Sequence, residues 1–362
     1  MSLNAQLVHP DTELAPLLAR LGPPAPSTDD VFVLREQFET AALLHQAEWQ
    51  GRVPPASGYR VEDREVPVEG VDGGEEGTIR VRCYVPLSSA HQRRSPREQG
   101  YPVLVWYHGG GFVAGSLDLD DGYLRNLCVD LQLSIVNVDY RLAPEHAFPT
   151  GFNDAYAALK WAATHASMLG ASLEKGFLVG GTSAGANLAA AVALRARDDP
   201  FFALGSGRSI TGQLLQTPQV VHPEAEVGRH ASELRSVVEQ ADAPFLTASK
   251  IRTFANALRA PPNDPRVSPL LASSHAGLPP AFVQVFGLDP LRDEGLLYAR
   301  LVREAGVEVR VNTYPGCPHG FNMVFPETKA AVKVDEDLRA GIRWLLSVHR
   351  REVGRPLGCQ TG

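Results

Sequence analysis

The sequence has no CxxC pair, no excess of basic charge, no internal repeat and no run approaching the ~18 apolar residues of a membrane span. Each absence removes a class of protein. The four cysteines, Cys83, Cys128, Cys317 and Cys359, are scattered, so neither a zinc site nor a disulfide framework is suggested and free thiols are expected. A net charge of −7 gives no electrostatic reason to expect nucleic acid or an anionic membrane as partner. The opening residues, MSLNAQLVHPDTELAPLLAR, lack a basic segment followed by an apolar one long enough for export. A cytoplasmic protein without a transmembrane segment is expected. What is present is an ordinary globular composition: 362 residues, 44% apolar and 21% charged, room for one large α/β domain with insertions or for two small domains.

From Pro102 onward, apolar strand patterns alternate with helix patterns. Strands are expected at 102–107, 134–138, 177–180, 281–286 and 307–314, with helices at 119–132, 151–168, 186–197 and 291–305 and a last helix at 328–349. Buried strands separated by helices make a mostly parallel central sheet covered on both faces. Ahead of it, 61–68 and 78–85 read as an antiparallel hairpin, and 87–100 as a polar, exposed loop. Residues 31–49 form an amphipathic helix pattern with Val31, Leu34, Phe38, Ala41 and Ala42 on one face, and Asp29 or Asp30 is its expected cap. About sixty residues between a strand pattern at 210–216 and the one at 281–286 break the alternation. Helices are expected there near 224–240 and 247–259. Such an insertion leaves the sheet at the C-terminal ends of its strands, where open α/β sheets bind ligands, so it is expected to form a lid with the N-terminal helices.

The stretch GFLVGGTSAGANLAAAVALRAR (176–197) is a strand, a glycine-punctuated turn and a helix. The turn places Ser183 between Gly181 and Gly185, whose small size permits a strained backbone that lifts the hydroxyl toward the helix N-terminus. A serine hydroxyl is a poor nucleophile without a base, and the base needs an acceptor to fix its tautomer. His319, in the loop PGCPHGF after the last strand, is the candidate base. Asp289, at the exit of AFVQVF, is the candidate acid, in preference to Asp293 and Glu294, which fall inside the following helix. A carbonyl under attack also needs donors for its oxyanion. The amides of Gly110 and Gly111, in His108-Gly109-Gly110-Gly111 after the first buried strand, can serve with that of Ala184; His108 and Gly109 support the loop. The chain order Ser183, Asp289, His319 is the α/β-hydrolase order of nucleophile, acid and histidine.

HGGGF (108–112), DYRLAPEHAFP (139–149), GTSAG (181–185), DPRVSPLLA (264–272), DPLRDEG (289–295) and HGF (319–321) together resemble the hormone-sensitive-lipase-like, or family IV, esterases over roughly residues 100–348. The resemblance implies an α/β-hydrolase fold with a helical cap, carboxylic ester hydrolysis by a Ser183–His319–Asp289 triad, and no metal or organic cofactor. It also implies a cap made from the N-terminal helices (1–58) and an insertion (217–268) around a catalytic core in two parts (59–216 and 269–349), while the polar composition of the tail (350–362) leads to an expectation of disorder. Tyr140, Arg141 and Glu145 would buttress the loop beneath the site. The implied partners are water and a small ester with a short or medium acyl group. Lactonase, thioesterase, amidase or deacetylase chemistry is the alternative on the same scaffold. Hormone receptors on this fold typically lack the histidine that is present here as His319. Thr182 departs from the commoner aspartate of the family. Phe32, Phe38, Trp49, Phe245 and Phe254 can line the pocket or form the cap's own core, and Cys317 can expose the site to thiol reagents or simply pack.

Overall fold

The computed structural model describes residues 4–21, 28–87 and 100–353. The apolar runs become an eight-stranded sheet: β1 (Tyr59–Val68), β2 (Gly77–Pro86), β3 (Val103–Tyr107), β4 (Ser134–Asp139), β5 (Phe177–Thr182), β6 (Gly212–Gln216), β7 (Ala281–Phe286) and β8 (Val309–Tyr314). They lie in the order β1-β2-β4-β3-β5-β6-β7-β8. β2 runs antiparallel to both of its neighbours, and every pairing from β4 to β8 is parallel. Val103, Val105 and Tyr107 point to one face and Leu104 and Trp106 to the other, the two-residue period of a strand, and all five are buried.

Two cores result. Helices α3 (Asp121–Leu131) and α10 (Lys329–Val353) cover the Leu104 face with Leu124, Leu127, Leu338 and Ile342. Helices α4 (Thr150–Thr164), α5 (Ala184–Asp198) and α8 (Arg292–Glu304) cover the other. Paired residues near the strand ends, Tyr107 with Gly181, Thr182 with Gln216 and Phe286 with Tyr314, leave the exits of β3, β5, β6, β7 and β8 along one edge.

Helix α2 (Val31–Gln50) lies above that edge, capped by Asp30, whose carboxylate accepts from the Phe32 and Val33 amides. Not all of the 1–58 segment forms a roof. α1 (Leu14–Arg20) instead buries Leu14 among Phe286, Tyr314, Cys317 and Phe321, and the Gly316 amide donates to Leu7 O at 2.9 Å. Residues 4–21 therefore brace the loop after β8.

The insertion also differs from its helix pattern. Its first half holds only a 3-10 turn (Gly228–His230) and the single turn α6 (Ser236–Glu239), followed by the longer α7 (Ala248–Leu258). Gly228 at φ +53° interrupts a continuous helix, and the Arg235 and Ser236 amides bond to the Asp293 carboxylate. The short α9 (Phe321–Val324) follows β8, and α10 runs to Val353, past the expected end at 349. The rest of the tail, with Cys359, and residues 88–99 of the polar loop lie outside the described residues. Cys83, Cys128 and Cys317 are buried free thiols. Among the described residues no helix is long and apolar enough to cross a membrane, and no cluster of His, Cys, Asp or Glu suits a metal ion.

Candidate active site

Ser183 follows directly on β5 and precedes α5, with φ 56° and ψ −116°, a conformation side-chain-bearing residues rarely adopt. Its neighbours make that conformation possible: a Cβ on Gly181 or Gly185 would collide with the Tyr107 carbonyl oxygen. The turn is thereby packed directly on the end of β3. Asp289 and His319 sit in the loops after β7 and β8, and the Leu288 amide ties the two loops by donating to Cys317 O at 3.0 Å.

The three side chains form one chain of contacts. His319 Nε2 is 3.1 Å from Ser183 Oγ, and His319 Nδ1 is 2.7 Å from Asp289 Oδ2. The second carboxylate oxygen, Oδ1, accepts from the Leu291 amide at 2.9 Å. Because a carboxylate only accepts, the proton sits on Nδ1, leaving Nε2 to accept from the serine hydroxyl. Asp289 is 1% exposed, which holds its orientation against solvent.

The loop after β3 packs on the serine turn, with Gly109 against the Thr182 carbonyl and Ser183. Gly110 and Gly111 have φ of +121° and +63°, conformations suited to glycine. A Cβ on Gly110 would strike the Ala114 carbonyl, and one on Gly111 the Phe254 ring. The amides of Gly110, Gly111 and Ala184 donate to no acceptor among the described residues. His108 is buried, stacks on Tyr140 at 4.3 Å and bonds through Nδ1 to Gly109 O at 2.7 Å. Burial lowers its pKa, so its imidazole stays neutral. Tyr140 donates to His108 O, at 2.8 Å.

Glu145 and Arg141 do different work. Arg141 grips Asp154 and the Glu75 carbonyl, fixing the hairpin turn against the core. Glu145 receives both ends of the Arg35 guanidinium at 2.7 Å, and Arg35 also donates to the Val113 and Ala143 carbonyls. The hydrogen bonds and charge of Arg35 pull the Glu145 carboxyl down to about 2. This tether between α2 and the two loops beneath it is complete above the ordinary carboxyl range and lost only as pH falls toward that value.

A cavity of about 500 Å³ lies over Ser183 and His319, roofed by Leu34 and Phe38 of α2 and by Ile251 and Phe254 of α7. Of the five aromatics singled out in the sequence, Phe38, Trp49, Phe245 and Phe254 line it, whereas Phe32 is 56% exposed and does neither job. Cys317 is 1% exposed, its thiol pushed up to about 12 by burial, which is the packing role and not a reactive one.

Three arrangements went unread in the sequence. Thr182 donates to Gln216, Gln216 to Gln284, Gln284 to Tyr314 and Tyr314 to Asp337, a polar chain crossing the sheet under the cavity. Its sequence signal is the glutamine in otherwise apolar strands. Nothing in the sequence marks the second, Arg35. The third is a clamp: Asp293 accepts from the Arg235 and Ser236 amides, and the fully buried Arg292 bonds to Asp293 and Glu239. Removing one partner of a buried ionic group strands the other, so Arg292→Met is expected to destabilise the fold by about 3–5 kcal/mol. A urea unfolding midpoint equal to wild type would refute it.

A family model described as alpha/beta hydrolase fold matches residues 104–323. The chain is an α/β hydrolase. It belongs to the hormone-sensitive-lipase-like branch, a family of carboxylesterase-type hydrolases. It is 39% identical over 254 residues to the esterase LipI of Mycobacterium tuberculosis (strain ATCC 25618 / H37Rv), covering 68% of this chain and 72% of that protein. Among solved structures, a vibralactone cyclase superimposes with a TM-score of 0.86 at 41% identity, covering 95% of this chain and 97% of that one. The esterase of Pyrobaculum calidifontis does so with a TM-score of 0.75 at 34% identity, covering 93% and 99%.

Proposed function

We propose that this α/β hydrolase cleaves small or medium apolar carboxylic esters through an acyl-enzyme. Ser183 Oγ attacks the ester carbonyl as its proton passes to His319 Nε2, and Asp289 holds the resulting imidazolium. The oxyanion is received by the amides of Gly110, Gly111 and Ala184, and His108 and Gly109 keep that loop in place. Collapse of the tetrahedral species breaks the bond to the alkoxy group, which leaves with the proton from Nε2. Water then attacks the acyl-serine by the same route, releasing the acid and restoring Ser183.

The observation that carries the reading is the unbroken Ser183–His319–Asp289 contact chain opening on an apolar cavity. The reaction as written draws on side chains, backbone amides and water alone. The test is turnover of p-nitrophenyl butyrate together with labelling by a fluorophosphonate, the adduct located by peptide mass spectrometry. Turnover with the adduct on Ser183 is expected; no turnover, or an adduct elsewhere, would sink the proposal.

The likeness to the vibralactone cyclase, which extends over the cap, favours one second reading. A hydroxyl of the substrate itself could replace water as acyl acceptor, closing a lactone. Product analysis with a hydroxy-ester separates the two, since hydrolysis releases a hydroxy acid and ring closure does not.

A further inference from the structure

Lys250 stands in the wall of the catalytic cavity, on the cap helix α7. Its Nζ donates to the Phe245 carbonyl at 3.0 Å, which uses one of three donors. Burial alone depresses its pKa, and no carboxylate lies within ion-pairing reach among the described residues. The acids that line the same cavity are engaged elsewhere: Asp120 accepts from Trp106 Nε1 at 2.8 Å and Asp335 from Arg339 Nε at 2.9 Å. A half-buried ammonium in a mostly apolar wall without a counter-ion carries part of the cost of leaving water, and Met or Leu would fill the same space without it. Its neighbour is unusual too. Phe245, also in the wall, holds φ +68°, a left-handed conformation rare for a bulky residue, and Lys250 fastens its carbonyl.

The position relative to the reacting centre follows from helix geometry. Residues four apart share one face of a helix, with Cβ atoms about 5–6 Å apart. Phe254, one turn beyond Lys250, packs directly on Gly111 of the proposed oxyanion loop. Lys250 and the residue packed on the proposed oxyanion loop are thus one turn apart on the same helix and line the same cavity.

We propose that Lys250 is a specificity-determining residue that receives a carboxylate on the substrate, so that half-esters of dicarboxylic acids are preferred over neutral esters of the same length. The fitting substrates are half-esters of short dicarboxylic acids, whose ester carbonyl and free carboxylate both fit within the one cavity. The two unused Nζ donors bind the carboxylate oxygens, and Leu246, Ile251 and Phe254 cover the intervening methylenes.

This inference rests on the ester-hydrolysis reading, and its test separates the two. Kinetics are measured on mono-p-nitrophenyl glutarate and on p-nitrophenyl pentanoate for wild type, Lys250→Met and Lys250→Arg. The ratio of kcat/KM for the anionic over the neutral ester is expected to fall by roughly tenfold or more in Lys250→Met, chiefly through KM, and to be largely kept in Lys250→Arg. A ratio unmoved by Lys250→Met overturns the proposal while leaving ester hydrolysis intact; no turnover of either ester by wild type overturns both. If Lys250→Met does not fold, inhibition of wild type carries the test. Free glutarate is expected to compete roughly tenfold more tightly than the neutral pentanamide, and equal inhibition would refute the role of Lys250.

Discussion

Ser183→Ala is expected to lower ester turnover on the order of 10⁶-fold and to abolish fluorophosphonate labelling, with the fold intact. The size follows from what the hydroxyl alone supplies. His319 Nε2, 3.1 Å away, has no other proton to take from the enzyme, and Asp289 then stabilises an imidazolium that never forms. The three groups act as one unit, so removing the nucleophile also idles its partners. What survives is binding in the cavity and the free amides of the oxyanion loop, enough for a residual rate above water. The fold should be unaffected because the close packing of Gly181 and Gly185 on the Tyr107 carbonyl does not involve the Ser183 side chain, which makes no helix-cap bond. Unfolding midpoints should therefore agree within error. More than about 1% of wild-type activity, or a fluorophosphonate adduct of undiminished yield, would contradict the assignment of Ser183.

The core and the site's four loops could be read from the sequence because each is written locally. Largely apolar runs of four to six residues marked β3, β4, β5 and β7 within a residue or two, and the turns carrying the candidate residues follow those runs directly in sequence. The insertion was less legible for a physical reason. Its apolar pattern between 224 and 240 is compatible with a helix, but its backbone donors are satisfied by Asp293, some sixty residues later, and no local rule sees that competition. The N-terminal segment fails in the same way. Leu14 satisfies a helical pattern equally well as roof or as brace, and only the Leu7 carbonyl meeting the Gly316 amide decides it.

The same long-range contacts tie the cap to the catalytic loops. Arg35 joins α2 to the β3 exit through Val113 and to the DYRLAPE loop through Glu145, while Asp293 and Arg292, four residues or fewer beyond Asp289, hold the insertion. The segment bearing the proposed acid is thus also the segment that clamps the lid. Two short connections thus join the segment above the site to its loops, an exposed one at Arg35–Glu145 and a buried one at Arg292–Asp293, and the second explains why acidic residues cluster in DPLRDEG: Asp289 faces the histidine, Asp293 the insertion, and Glu294 bonds to the Val220 amide after β6. Burial raises the Glu294 carboxyl well above its usual range.

Asp289→Asn separates those roles, with an expected loss of about 10⁴-fold in kcat and little change in KM. The two carboxylate oxygens have fixed and different partners: Oδ1 accepts from the Leu291 amide and Oδ2 faces His319 Nδ1. An amide must keep its oxygen toward Leu291 N–H, since its NH₂ cannot accept there. The NH₂ group then faces His319 and donates to Nδ1, which must give up its hydrogen. The proton moves to Nε2, the atom that has to accept from Ser183, so the imidazole is present in the wrong tautomer and the base is lost while the cavity is unaltered. The matched control is Asp293→Asn, in which the amide disturbs the bonds to Arg235, Ser236 and Arg292. There the unfolding midpoint should fall and kcat should stay within about tenfold of wild type. Steady-state kinetics and urea unfolding on both variants decide the matter: if Asp293→Asn loses the larger share of kcat, or Asp289→Asn keeps more than about 10%, then Asp289 is not the acid that orients His319.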